Sequence, residues 1–331
     1  MRLENILALT HGRVVNEPFV KIFENIVFDS KVVKRGDLFI AFDEDEIEDA
    51  IFNGAYGVMF DKPTQITDNE IAWIKVKSCE DSLKKVLRFI LVEKNITVYS
   101  VDEIILKLSQ QTMTDQNFVA INGELKSIYK QLLNLQNDSI ILFSPTLSDE
   151  SIFTNVNEIP APSESIITLK EHTLFESSFI YDGKFYERQQ LAPIFIPYLE
   201  QLLNLYKKVG ISFKLRRFNP ISNFEVTFIN KNFEIKDFGS TDKALIFEKN
   251  MSLVSSEIDY LTKKASWAKV IYILPTSIKN IDGDYIYNYN NKNEILDILK
   301  NNSFNFAFIA DADKSILDNC DRKPSQLTLS F

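Results

Sequence analysis

Apolar runs too short for helices recur along this chain, and most give way to a stretch with helical spacing. That alternation limits the available folds more than any other feature. DLFIAF (37–42), YGVMF (56–60) and IAWIKV (71–76) read as buried strands. Between the first two, EDEIEDAIFNGA sets Ile47, Ala50 and Ile51 on one helical face and stops at Gly54. SCEDSLKKVLRFILVEKN (78–95) reads as a helix with Ser78 as its N-cap.

The alternation continues. ITVYSV (96–101) is a β-branched strand followed by helices over about 102–111 and 124–135, then SIILFS (139–144) and SIITLK (165–170). SSFIYDGKFYE signals a hairpin turning at Asp182 and Gly183, and IFIPYLEQLLNLYKK (194–208) a helix ending near Gly210. From about 221, NFEVTFINKNFEIKDF alternates like a hairpin turning over 230–232. A helix over roughly 251–265, the strand AKVIYILP, the helix NKNEILDILKNN and the strand NFAFIAD complete the pattern. The expectation is three consecutive α/β domains, at 1–95, 96–220 and 221–317, with a tail over 318–331. A length of 331 residues supports two or three cores.

Composition narrows the function classes. A net charge of −9 argues against a direct nucleic-acid surface, because phosphate backbones require clustered cations. Cys79 and Cys320 are too few and too far apart for a disulfide framework or a metal knuckle, and His11 and His172 do not supply a His-rich centre. No metal site and no cofactor are therefore expected. The absence of an apolar run of about 18 residues supports neither a signal peptide nor a membrane span, so a cytoplasmic location is the default expectation.

The stretch DSKVVKRGDLFIAF (29–42) carries the one specific signature. Its first block resembles the opening domain of the Mur ligases, which add amino acids to the UDP-linked peptidoglycan precursor, and most closely those that attach the third residue or the terminal D-Ala-D-Ala. Their DSR-x-V-x-x-GDLF-x-A stretch appears here as Asp29, Ser30, Lys31, Val33, Gly36, Asp37, Leu38, Phe39 and Ala41, followed by Gly54, Ala55, Val58, Val76, Ser82 and Leu83. Fainter likeness runs on: KKVGISFKLRRF (207–218) resembles the segment closing the family's central domain. In 224–244, which resembles the start of the C-terminal domain, Asp237 stands at an aspartate position of that domain. The resemblance implies three α/β domains in Mur-ligase order with a shortened central one. It also implies a remnant precursor site at Asp29, Ser30, Lys31, Gly36 and Asp37.

The ligase chemistry itself is not supported. It requires a glycine-rich loop and a lysine on the ATP phosphates, which the family places directly after the first strand of the central domain. Here ITVYSV runs into Asp102 and Glu103, and no glycine stands between Gly57 and Gly123. The family's G-x-H-N-x-x-N stretch corresponds to 189–194, which holds neither His nor Asn. After GDLF, where the family holds the diphosphate end, six of the seven residues from Asp43 to Asp49 are carboxylates; these repel phosphate and suit a solvated helix start. Finally, QLTLSF (326–331) fits the short peptide with which bacterial proteins dock on the DNA sliding clamp, through Gln326, Leu327, Leu329 and Phe331; an ordinary terminal strand is the plainer reading. The expectation is a non-catalytic Mur-ligase-like protein that binds or scaffolds near peptidoglycan precursor synthesis, with cell-wall enzymes as partners. The alternatives are a divergent UDP-MurNAc-peptide ligase and a clamp-docking interaction protein.

Overall fold

The computed structural model describes residues 1–160, 162, 164–278 and 283–319. The chain packs into two compact units. One comprises Met1–Val101 with Asp115–Ile159, the other Asp102–Thr114 with the chain from Pro160 onward.

The first unit begins with α1 (Leu3–Thr10) and β1 (Arg13–Val14), then β2 (Ile26–Val27), β3 (Leu38–Ile40), α2 (Ile47–Phe52), β4 (Gly57–Phe60), β5 (Ala72–Lys75) and α3 (Cys79–Glu93). The five strands form one sheet in the order β1-β5-β4-β3-β2, parallel except where β1 runs against β5. Side chains of a strand alternate between faces. Leu38 and Ile40 therefore join one core with Ile74, Leu83 and Leu87, while Phe39 and Ala41 join another with Ala50, Val58 and Trp73. Both faces are covered, which explains why these strands read as unbroken apolar runs. Ser78 caps α3 by accepting from the Asp81 amide at 3.1 Å.

After β6 (Thr97–Ser100) the chain gives α4 (Glu103–Thr112) to the second unit. It returns with β7 (Phe118–Gly123), α5 (Leu125–Leu133), β8 (Ile140–Ser148) and β9 (Val156–Glu158). These strands make a parallel sheet in the order β7-β8-β6-β9. Leu83, Val86, Leu87 and Leu91 of α3 share one core with Leu38 and Ile74 of the first sheet and Val98, Ile121 and Ile141 of the second.

The second unit contains α4 and an antiparallel meander of β10 (Ile167–His172), β11 (Ser177–Tyr181) and β12 (Lys184–Gln189). Next come α6 (Ile196–Val209), β13 (Glu225–Phe228), β14 (Ala244–Glu248), α7 (Val254–Lys264), β15 (Val270–Pro275), β16 (Ile286–Tyr289), α8 (Glu294–Asn301) and β17 (Phe306–Ala310). The last five strands order as β13-β14-β17-β15-β16, parallel except for β13. Helix α6 ends as its sequence demands: Gly210 takes φ 72° and the Ile211 amide reaches back to the Tyr206 carbonyl at 3.0 Å.

The parallel strands of the middle block share the core around α3, whereas α4, the meander and α6 belong to the unit that holds β13–β17. One local feature departs from the sequence pattern. The hairpin expected around 230 is reduced to a bridge between Ile229 and Ile235, and β13 pairs with β14 instead. The Asn230 side chain closes the short loop, accepting from the Asn232 and Glu234 amides at 2.9 and 3.0 Å.

Candidate functional site

The signature residues Asp29 to Asp37 form a tight double turn. Asp29 caps a single 3-10 turn (Ser30–Val32) by accepting from the Lys31 amide at 3.0 Å. Ser30 is buried; its amide donates to the Glu46 carboxylate at 3.2 Å and its carbonyl accepts from Asn53 at 2.9 Å. Lys31 is exposed. Gly36 adopts φ +103°, a left-handed conformation costly for any residue with a Cβ. Asp37 is buried, accepting from Asn25 at 2.9 Å and from the Lys34 amide at 2.9 Å. The most specific carboxylate of the motif thus ties its own turn with both oxygens.

Beside this turn lie residues that the sequence did not single out. Phe28 meets Phe42 and Tyr129 edge to face, with centroids 6.2 and 5.7 Å away. Lys126 stands 4.2 Å over the Phe42 ring, and Lys130 5.3 Å over Phe28. Burial, with the Asp37 carboxylate adding to it, pushes the Tyr129 hydroxyl well above the usual phenol range. The spacing of Lys126 and Lys130 on one face of α5 was the available sequence signal. The aromatic rings and two ammonium groups suit a phosphate-bearing ligand, whereas Asp29 and Asp37 do not.

The acidic segment is partly structural. Asp43 caps the turn Glu44–Glu46, and Glu46 holds Ser30. Asp43, Glu44, Asp45, Glu48 and Asp49 remain exposed.

In the second unit, the start of α4 is closed by its own side chains. Lys107 pairs with Glu103 and donates to Ser222 at 2.7 Å and to the Asn223 side-chain oxygen at 2.6 Å. Asn250 donates from its side chain to Glu103 at 2.9 Å and from its amide to Glu248 at 2.6 Å. Asn223 donates to Glu248 at 3.1 Å, and the Phe224 amide to the other Glu248 oxygen at 3.0 Å. Lys107, Glu103, Asn250, Glu248 and Asn223 thereby close a ring. Next to it, the Glu257 carboxyl is wholly buried with no hydrogen-bond donor aimed at it among the described residues. Burial first, and the Glu248 carboxylate second, push Glu257 up to about 11, so it holds its proton at neutral pH. Glu248 is also raised, by burial.

The remaining sequence-predicted residues stand apart. Asp237 lies exposed in a loop of the second unit, its carbonyl accepting from the Ser240 amide at 3.1 Å. Gln189, at the station of the family's His–Asn stretch, is buried and structural, accepting from the Phe218 amide at 3.1 Å. Burial raises the Cys79 thiol to about 12, with Asp61 adding to the shift, so it is an inert packing residue. Gln326, Leu327, Leu329 and Phe331, with Cys320, lie outside the described residues. Among the described residues no group of His, Cys, Asp and Glu is arranged to hold a metal ion, and no helix is long and apolar enough to cross a membrane.

No family model matches the sequence, and no curated protein resembles it significantly. Solved structures do. The MurF ligase of Thermotoga maritima, in complex with ADP, superposes with a TM-score of 0.55 at 12% identity, over 89% of this chain and 95% of that one. MurF from Acinetobacter baumannii gives 0.57 at 10% identity over 95% and 96%. The UDP-N-acetylmuramoylalanyl-D-glutamyl-2,6-diaminopimelate–D-alanyl-D-alanyl ligase from the same organism gives 0.52 at 10% over 95% and 96%. With the α/β units described above, these likenesses establish that the chain has the fold of a Mur ligase.

Proposed function

We propose that this is a non-catalytic Mur-ligase-like protein, with a binding or scaffolding role linked to peptidoglycan precursor synthesis. The observation that carries this reading is the closed ring at the start of α4. A phosphate site at a strand–helix junction works through free backbone amides, a glycine nest and an available lysine. Here the junction presents Asp102 and Glu103, and its lysine is held by Glu103, Ser222 and Asn223. Phosphate entering there meets carboxylates and must displace every partner of Lys107. The cluster of Lys126, Lys130, Phe28 and Phe42 supports retained recognition of an anionic precursor without turnover.

Mg-ATP at millimolar concentration tests the reading. A ligand at about 100 times its dissociation constant contributes roughly 2.7 kcal/mol, plainly visible as a melting shift. No shift is expected. A shift that Lys107→Ala removes would restore the alternative of a divergent ligase. Docking on the DNA sliding clamp through Gln326, Leu327, Leu329 and Phe331 rests on the tail sequence alone.

A further inference from the structure

The segment 207–217 concentrates Lys207, Lys208, Lys214, Arg216 and Arg217, all exposed, on a chain whose net charge is −9. Its backbone is fixed. Phe213 stacks on Tyr206 at 5.0 Å and bridges Met113, and the Lys214 amide donates to Thr112 at 2.8 Å. Val209, Ile211, Phe213 and Leu215 are half-buried, so the alternation turns Lys214 and Arg216 outward. None of the five cations makes an ion pair among the described residues; Lys207 lies 5.2 Å over the Tyr181 ring. The carbonyl end of α6 accounts for Lys207 and Lys208. It does not account for Lys214, Arg216 and Arg217, which lie beyond the last turn. Five unpaired cations held in place repel one another, and an acidic partner relieves that cost.

This chain itself supplies such a partner. Asp43, Glu44, Asp45, Glu48 and Asp49 are exposed within a comparably short, capped segment, and among the described residues only Glu44 of these makes an ion pair, with Lys62 at 3.9 Å. We propose that segment 207–217 of one molecule docks on the acidic turn 43–49 of a second copy. The contact is head-to-tail, joining two different patches, so each molecule keeps one free patch of each sign and assembly runs on into chains unless it closes as a ring. A polyanion such as nucleic acid would instead meet the repulsion of the acidic remainder of the molecule.

Sedimentation velocity on the full chain at about 25 mM and about 500 mM salt tests this, because the higher concentration shortens the Debye length to a few ångströms. At low salt the average mass should climb past a dimer with concentration, and at high salt it should return to the 38.2 kDa monomer. The triple variants K214E/R216E/R217E and E44K/D45K/E48K should each associate at least about tenfold more weakly. Mixing the two should restore association, since each then carries the complement of the other's altered patch. If a reversed-charge variant melts early, K214Q/R216Q/R217Q tests the same loss without introducing charge. A wild-type chain that stays monomeric at low salt overturns the proposal, as does a mixture that fails to associate. So does a wild type that binds a short oligonucleotide through 207–217 while remaining monomeric.

Discussion

Glu257→Gln is the most incisive single substitution, because its effect should depend on pH in a way that packing alone cannot reproduce. The Glu257 carboxyl is fully buried beside Glu248, and its proton is held up to about 11 against an ordinary value of 4.5. Below that ordinary value, folded and unfolded chains both carry the proton. Above it, the unfolded chain releases its proton while the folded chain keeps it. The stability contribution is therefore fully present in acid and falls as pH rises, by about 1.4 kcal/mol per pH unit for one proton. Between about pH 5 and about pH 8 this amounts to roughly 4 kcal/mol, a large part of a domain's usual 5–15 kcal/mol. A glutamine has no proton to retain. Guanidinium unfolding across this range should show E257Q close to wild type near pH 5 and progressively more stable toward pH 8. Parallel stability curves for the two proteins would refute the assignment, since they would mean that Glu257 holds no extra proton on folding.

Other consequences arise from the same structure. Gly36→Ala places a Cβ at φ +103° and 3.0 Å from the Glu24 side chain, so it should cost at least about 1–2 kcal/mol, read as a lowered melting temperature. Leu87→Ala removes a fully buried side chain from the core around α3 and should cost about 2–5 kcal/mol in denaturant unfolding. If the ring-and-lysine cluster binds a UDP-MurNAc-peptide, Lys126→Ala with Lys130→Ala should weaken binding by calorimetry at least about tenfold, with Ser30→Ala and Lys31→Ala adding to the loss; an unchanged affinity would exclude the cluster. Deleting 326–331 should abolish sliding-clamp binding at unchanged melting temperature if QLTLSF is a docking peptide; a fall in melting temperature would make it an ordinary strand.

Much of the fold was legible because the strands are buried on both faces and so leave continuous apolar runs. β3, β4, β5 and β15 are of this kind, and Ser78 and Gly210 punctuate their helices as the local rules require. β7 escaped notice because it ends in Asn122 and Gly123, and β16 because an Asn interrupts its tyrosines. Both are stabilised by parallel neighbours rather than by strong propensity of their own. The partition into units was hidden for a different reason. It depends on α3 meeting two sheets at once, a tertiary fact with no local signature. The ring at α4 was illegible for the same cause, since Glu103, Lys107, Asn223 and Asn250 are brought together from three separate stretches of sequence.

The contrast between the GDLF stretch and the ATP loop explains why one signature is present and the other is not. Gly36 occupies a conformation that a side chain strains, Asp37 is spent on two hydrogen bonds within its own turn, and Leu38, Phe39 and Ile40 fill the core on both faces of β3. Each of these residues is required for the fold whether or not any ligand binds. A phosphate loop is different: its glycines serve the bound nucleotide and add nothing to the core. The start of α4 is stabilised instead by charge pairing, through the Lys107–Glu103–Asn250–Glu248–Asn223 ring. A Mur-ligase fold can therefore be read from residues that say nothing of catalysis. The distinction is testable within this chain. Asp37→Asn should lower the stability of the first unit without altering any binding to the second, whereas Asn250→Ala should loosen the ring and leave the first unit's melting unchanged.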